Sequence, residues 1–344
     1  MKKTAAVIAL TGVCLTVVSA CIAAQETHER DFGTRVYGKS VTVAAYLGTD
    51  TDVRIPAAIK RLPVVAIGED AFSGKQLTNV SIPDSVTFIG SSAFYRNWLT
   101  GVSIPDGVTE IAAHAFAHNL LADVSLSKRL SVIGASAFLD NRLTSVVIPK
   151  RVTSIGEAAF FGNRLTSIVL PDRVSYIGER AFADNWLTSA VLPGHLSAIP
   201  REAFAKNRLT SIIIPDSVSV IEARAFADNR LTSVVIPDSV SYIGEGAFED
   251  NMLTSLTLSS GVTVIGADTF AYNQLASITI PASVTFIWNS AFADNPLTSI
   301  SIGDNVHFEG DSFPFKDYYE SVGRKAGTYR ATNGVWSAQP PTEP

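Results

Sequence analysis

Two histidines four residues apart, His114 and His118, have the only ligand-like spacing in the chain. A zinc site needs three or four such donors, and no third ligand accompanies them, so they read as two solvent-facing substitutions in one turn. A column of aspartates (Asp84, Asp106, Asp172, Asp216, Asp238, Asp304) recurs with a fixed spacing and could suggest calcium. Lys128, Lys150, Gly194, Ser260 and Ala282 interrupt it, and turn formation accounts better for aspartate there. The chain carries no HExxH, no nucleophile elbow, no phosphate loop and no metal-spaced cysteines. A glycoside-cleaving site would need a pair of carboxylates, and Asp123 is the one acidic residue in the outward serine row described below. Catalysis, a bound metal and a cofactor are therefore not expected. The chemistry to look for is recognition.

What would position such a surface is a strict repeat. Phenylalanine stands at 72, 94, 116, 138, 160, 182, 204, 226, 248, 270 and 292, always 22 residues apart. A period of this length without insertions predicts a solenoid whose coils touch only their neighbours. Counting each Phe as position 0, position 5 is always Leu, position 17 is Ile in every coil but the last, and positions 8, 10 and 14 are almost always aliphatic. Six apolar columns then stack into six interior ridges, each buried side chain contributing roughly 1.5–3 kcal/mol. L-x-x-V-x-I at positions 5 to 10 predicts a strand with alternate side chains inward. Proline at position 11 in eight coils ends it, having no N–H to donate. Val-Ser-x-Ile predicts a shorter second strand, and Gly-x-x-Ala-Phe a tight 3₁₀ or turn return. Asn at position 3 fits a turn residue in the left-handed region that bonds backbone along the stack.

The fold class expected is a right-handed solenoid of about twelve coils, counting irregular caps. Residues 32–56 form the N-terminal cap, with strands at Lys39–Leu47 and Val53–Ile55 joined through Gly48–Asp52. Coils run over 57–302, and a hairpin closing on Asn333-Gly334 caps residues 303–338. Residues 339–344 are a Pro-rich tail.

The first residues predict export. Met1-Lys2-Lys3 is a short basic region, and Thr4–Val18 is apolar but too short for a confident membrane span. Val18-Ser19-Ala20-Cys21 resembles the lipobox of bacterial lipoproteins, which implies a signal peptide over 1–20, lipid attachment at Cys21 and a tether over 21–31. Ordinary secretion with cleavage after Ala20 or Ala24 is the alternative. Cys14 leaves with the signal, so the mature chain has one cysteine and no internal disulfide. A net charge of −5 gives no nucleic-acid footprint.

The pattern LTSVVIPDSV followed by IGEGAFADN resembles the BspA-type (treponemal) leucine-rich repeat family, over residues 41–337. The resemblance implies a bacterial cell-surface or secreted protein that adheres to host matrix proteins, host cells or other bacteria. Together with the lipobox it implies a place at the outer membrane or cell surface, the lipid being the one contact with the membrane. The chain departs from the pattern where Ala112, Pro200, Glu222 and Trp288 replace Gly, and Ser127, Ser259 and Gly303 replace Pro. The coil after Phe292 is one residue short, reaching Phe313.

With strands about 4.8 Å apart, eleven coils should make a sheet roughly 50 Å long. Its outward rows are positions 7 and 9. Position 7 includes Ser145, Ser167, Ser189, Ser211 and Ser233, and position 9 in the same coils reads Val147, Val169, Val191, Ile213 and Val235. Position 4 there reads Arg142, Arg164, Trp186, Arg208 and Arg230. An apolar stripe bordered by Arg and Trp has the composition of a protein-binding site. The competing explanation is that Val and Ile are good strand formers, that Asp140, Asp184 and Asp228 neutralise the arginines, and that coil duplication copied the rows. An envelope scaffold with no host ligand is the alternative to an adhesin.

Overall fold

The computed structural model describes residues 27–310, 313 and 315–339. The signal-peptide and lipid-attachment readings, Cys21 included, lie outside the described residues. Within them the chain is a solenoid of about twelve 22-residue turns. The six apolar columns point inward as the repeat requires, with Phe, Leu, Val and Ile of successive coils forming one continuous core.

From Phe72 to Phe292 the rings stack in one ladder, centroids 5.0 to 5.7 Å apart and planes within 4 to 18° of each other. That spacing exceeds the thickness of a ring, so the stack is offset, the arrangement aromatic quadrupoles favour. Tyr46 of the N-terminal cap continues it, 5.4 Å from Phe72.

The cap differs from the sequence reading in one strand. Phe32–Tyr37 and Ser40–Tyr46 form an antiparallel hairpin, and Ser40–Tyr46 then runs parallel to Leu62–Ile67. Asp52–Arg54 starts a second ladder with Asn79–Ser81. At the other end, Gly327–Thr332 and Val335–Ala338 form the expected hairpin, with Asn333 and Gly334 both at positive φ. A short helix, Lys316–Ser321, precedes it and buries Tyr319 against Phe308 and Phe315. The returns are successive i to i+3 turns, such as Ala93 N–H to Gly90 and Tyr95 N–H to Ser92.

Two ladders of parallel strands run along the stack, and they are unequal. The two-residue strands at positions 16–17 (Phe88–Ile89, Glu110–Ile111 and their counterparts), here the back ladder, pair continuously from Leu62–Ile67 to Tyr176–Ile177 and again from Ala198–Ile199 to His307–Phe308. Its tightness explains the glycine column at position 18. A Cβ on Gly178 would sit 2.3 Å from the backbone nitrogen of Glu157 in the preceding coil, and one on Gly156 2.4 Å from that of Ala135.

The single break in the back ladder has a local cause. In the neighbouring coils the position-18 N–H donates to the preceding isoleucine carbonyl: Gly178 to Ile155 at 2.8 Å, Glu222 to Ile199 at 2.9 Å. Position 18 of the broken coil is Pro200, which has no N–H to give Ile177. Beside the break, Arg180 of one coil grips Glu202 of the next through Nε and Nη2, at 2.7 and 3.0 Å. Those bonds hold the Glu202 carboxyl below its ordinary range.

Two predictions follow from this packing. Phe182 is fully buried between Phe160 and Phe204, each 5.6 Å away. Phe182→Ala should cost about 3–5 kcal/mol in a denaturant titration, as cavity-forming changes do, and a loss under about 1 kcal/mol would place the ring in solvent instead. The junction at Pro200 should be the first part of the back ladder to open. A group whose folded pKa is depressed contributes stability that is present above its unfolded pKa and lost as pH falls through the folded value. Hydrogen exchange at Ser197 and Ala198 should therefore outpace that at Ser219 and Val220, increasingly so at acid pH. Glu202→Gln should remove that acid dependence, and equal protection at both pairs of amides would contradict the account.

Candidate functional site

Alternation of the strand at positions 5 to 10 sends Leu, Val and Ile inward and leaves positions 7 and 9 outside. The structure places the serine row from Ser145 to Ser233 and the aliphatic row from Val147 to Val235 on this one outward face, all exposed. The arginines of position 4 and Trp186 are exposed along its margin.

This front face is not the continuous sheet that equal strand spacing predicts. Its three-residue strands pair mostly in twos: Gly101–Ser103 with Asp123–Ser125, Ser167–Val169 with Ser189–Val191, and Ser233–Val235 with Ser255–Thr257. Ser145–Val147 and Ser211–Ile213 form no strand. Around these two coils two successive steps go unpaired, from Asp123–Ser125 to Ser167–Val169 and from Ser189–Val191 to Ser233–Val235. The two released coils also project furthest, with Val147 84% and Ile213 85% exposed against 54% for the paired Val191. A shallow depression runs beside Ile213, between Ser211–Ile214 and Ser233–Ser239.

The arginine row is not neutralised by the nearby aspartates. Asp140 pairs with His118 Nδ1 at 3.2 Å, and Asp228 lies 3.7 Å from Arg224. Among the described residues, no ion pair involves Arg142, Arg164, Arg208 or Arg230. Two of them instead bracket Trp186, Arg164 at 5.6 Å and Arg208 at 4.8 Å from the ring centroid. Cation–π contacts of this kind contribute roughly 0.5–1 kcal/mol at exposed sites and leave the guanidinium donors free for another molecule. His118 thus has a structural partner, and both His114 and His118 lean edge-on to Tyr95, 6.4 and 5.3 Å away.

Asn at position 3 is not itself in the left-handed region. That conformation falls on the residue before it, as at Asp140, Asp184 and Asp228, with φ of 50, 53 and 56°. The asparagine is buried and bonds along the stack, as its sequence position suggested. Asn185 accepts from Leu165 N–H at 3.0 Å and donates to the Phe160 carbonyl at 2.9 Å, both in the preceding coil.

Two outward rows escaped the sequence reading. Alternation applied to the short second strand would have found position 16, where Phe88, Tyr176 and Tyr242 stand exposed on the back ladder. The columns after the front strand, positions 12 and 13, were read only as an interrupted aspartate series. They carry Lys128-Arg129, Lys150-Arg151 and Asp172-Arg173, all exposed.

Comparison with known proteins agrees with this architecture. A family model for the BspA type leucine rich repeat region matches residues 65–188 and 197–317. The gap between the two segments lies in the coil that contains Pro200. Among solved structures, a leucine rich cell surface protein from Faecalibacterium prausnitzii is 28% identical, with a TM-score of 0.52, covering 82% of this chain and 89% of that one. The pneumococcal vaccine antigen PcpA, 19% identical, has a TM-score of 0.59 and covers 81% of this chain and 82% of its own, a likeness of fold alone. No curated protein matches the chain.

Proposed function

The chain belongs to the BspA-type leucine-rich repeat family, and from that premise we propose that it is a lipid-anchored bacterial surface protein that binds other proteins through the front face of its solenoid. Proteins of this build are generally binding or structural rather than enzymatic. The observation that carries the reading is the run of five coils in which projecting Val and Ile side chains are bordered by a tryptophan and by arginines outside any ion pair. Isolated exposed aliphatics are ordinary, but a contiguous row rimmed by Arg and Trp is the composition of interface hot spots.

Surface display is supported by the 28% identical cell surface protein, and the anchor by the sequence around Cys21. Among the described residues no helix is long and apolar enough to cross a membrane. The partners proposed are matrix or cell-surface proteins of a host, or surface proteins of other bacteria.

Each half of the proposal has its own test. Val169→Asp with Ile213→Asp puts two charges on the stripe at positions that make no core contact. The double variant should keep the wild-type melting curve and lose at least tenfold in affinity for whichever matrix or bacterial surface protein the native chain binds. Unchanged binding would remove the stripe as the site. Cys21→Ser should abolish incorporation of a clickable palmitate analogue, and protease added to intact cells should digest the native protein. Labelling that persists in Cys21→Ser excludes the anchor, and full protection from protease would favour an internal envelope scaffold.

A further inference from the structure

The block of cations at positions 12 and 13 is a second edge of the front face, which the arginine and aliphatic rows do not include. Three consecutive coils place Lys128-Arg129, Lys150-Arg151 and Arg173 in the turns that follow their front segments, all exposed. The rings of these coils step by 5.5 and 5.4 Å, so like charges stack at nearly that interval with little intervening countercharge. Lys128 lies 3.6 Å from Asp106; among the described residues the other four have no ion pair. Between Val124 and Ser175 seven Lys/Arg face only three Asp/Glu, in a chain whose net charge is −5. One of those three, Asp140, is occupied by His118.

Stacked like charges repel, and nothing in the fold requires them: coils on either side have Asp106-Gly107, Gly194-His195 and Asp216-Ser217 in the same turns. A cationic strip on an otherwise acidic surface attracts an anionic partner and steers its approach. What lies beside the strip narrows the class. Val147 and Val169 precede it by three to four residues on the same coils, exposed and aliphatic. Of the large exposed aromatics, Trp186 lies on the opposite margin and Tyr242 on the back ladder two coils or more away, while Tyr176 opens the back strand three residues after Arg173.

We propose that the strip Lys128–Arg173 is the docking edge for an extended acidic segment of a partner protein, whose carboxylates engage Lys150, Arg151 and Arg173 while its apolar side chains cover Val147 and Val169. This rests on the front face being a protein-binding surface and adds the charge of what it binds. Guanidinium groups recognise carboxylates in bidentate fashion, and aliphatic rows beside them favour a polypeptide over a polysaccharide.

The test uses the full chain and a fluorescein-labelled 14-residue peptide of alternating Glu and Val, followed by anisotropy. Saturable binding should weaken several-fold between 50 and 200 mM salt, because exposed charges are screened within about 10 Å at 0.1 M. Lys150→Glu with Arg151→Glu and Arg173→Glu should lose at least tenfold with an unchanged melting curve, and a peptide with Ser for Val should bind at least fivefold more weakly. Lys150→Gln with Arg151→Gln and Arg173→Gln, which adds no repulsion, should lose a smaller factor. No binding, or binding indifferent to the charge reversal, overturns the proposal. So does a heparin oligosaccharide that binds as tightly as the peptide and with the same sensitivity to the reversal, since the ligand would then be a polyanion. If the Val169→Asp, Ile213→Asp variant loses a natural protein partner that the charge-reversed variant retains, the protein-binding face stands and the acidic partner falls.

Discussion

One buried amide per coil sets how the next turn of chain can sit on the last. The position-3 asparagine reaches back across the junction, its oxygen accepting the N–H of a leucine 20 residues earlier and its nitrogen donating to a phenylalanine carbonyl 25 residues earlier. Asn97 does this to Leu77 and Phe72, and Asn295 does it to Leu275 and Phe270, with every coil between repeating the contact. The same nitrogen also closes its own turn, as Asn207 does onto the Phe204 and Ala205 carbonyls. Leaving the partner groups buried and unbonded would cost about 1–3 kcal/mol apiece, so coils cannot slide in register without losing several bonds at once. The phenylalanine ladder fills the space these amides enclose. Its packing is the larger energy, but it is tolerant of slip; the amide bonds are what give it a unique register.

Fixing the coils at that edge, and pressing them together at the glycine corner, leaves the remaining side to follow. On the front face strand pairing survives mostly in separate twos. Pro200 shows the same economy on the back ladder, where one missing N–H interrupts a sheet that is otherwise unbroken from the cap to Tyr176–Ile177. The Arg180–Glu202 clamp spans that junction. The coil containing it pairs backward on its front strand, Ser189–Val191 with Ser167–Val169, and forward on its back strand, Ala198–Ile199 with Val220–Ile221. It is also the coil at which the family pattern lapses.

Much of this was legible in the sequence because a repeat averages eleven samples of the same environment. The inward columns, the turn proline, the closing hairpin and the shortened last coil could all be read from position alone. In that coil, Phe286 pairs with His307 rather than with a residue 22 later, while Ser277 still pairs with Ser299, which locates the lost residue in the turn around Gly303. The breaks between strands were not legible. Ser145–Val147 and Ser211–Ile213, which form no strand, carry the same pattern of small and aliphatic residues as their paired neighbours, so no single copy encodes the break. The asparagine was assigned a turn conformation because Asn tolerates it, yet its side chain is engaged in the stack and the left-handed residue is its neighbour. The N-terminal strand Phe32–Tyr37 and the helix Lys316–Ser321 lie outside the repeat, where one copy offers only weak local preference.

The division of labour within a coil also decides which side chains are free to vary. A substitution at positions 0, 3, 5, 17 or 18 touches a ring stack, a buried amide or a backbone contact under 3 Å, and the next coil feels it. Positions 4, 7, 9 and 12 have side chains in solvent through the middle coils, and so does position 13 where it is Arg or His, whereas Ser217 there is half-buried and bonded to the Leu196 carbonyl. The exposed positions can change coil by coil while the stack persists. The observed sequence uses that freedom unevenly. Position 7 stays serine through the middle coils, position 9 is aliphatic in five successive coils, and the cations gather at the two ends of the strand rather than scattering. The two adjacent Lys-Arg turns are flanked by Asp106-Gly107 before and Asp172-Arg173 after, so the full Lys-Arg pair is confined to two coils. Grouping of charge against the sign of the whole chain is what a surface shaped by an acidic partner would retain.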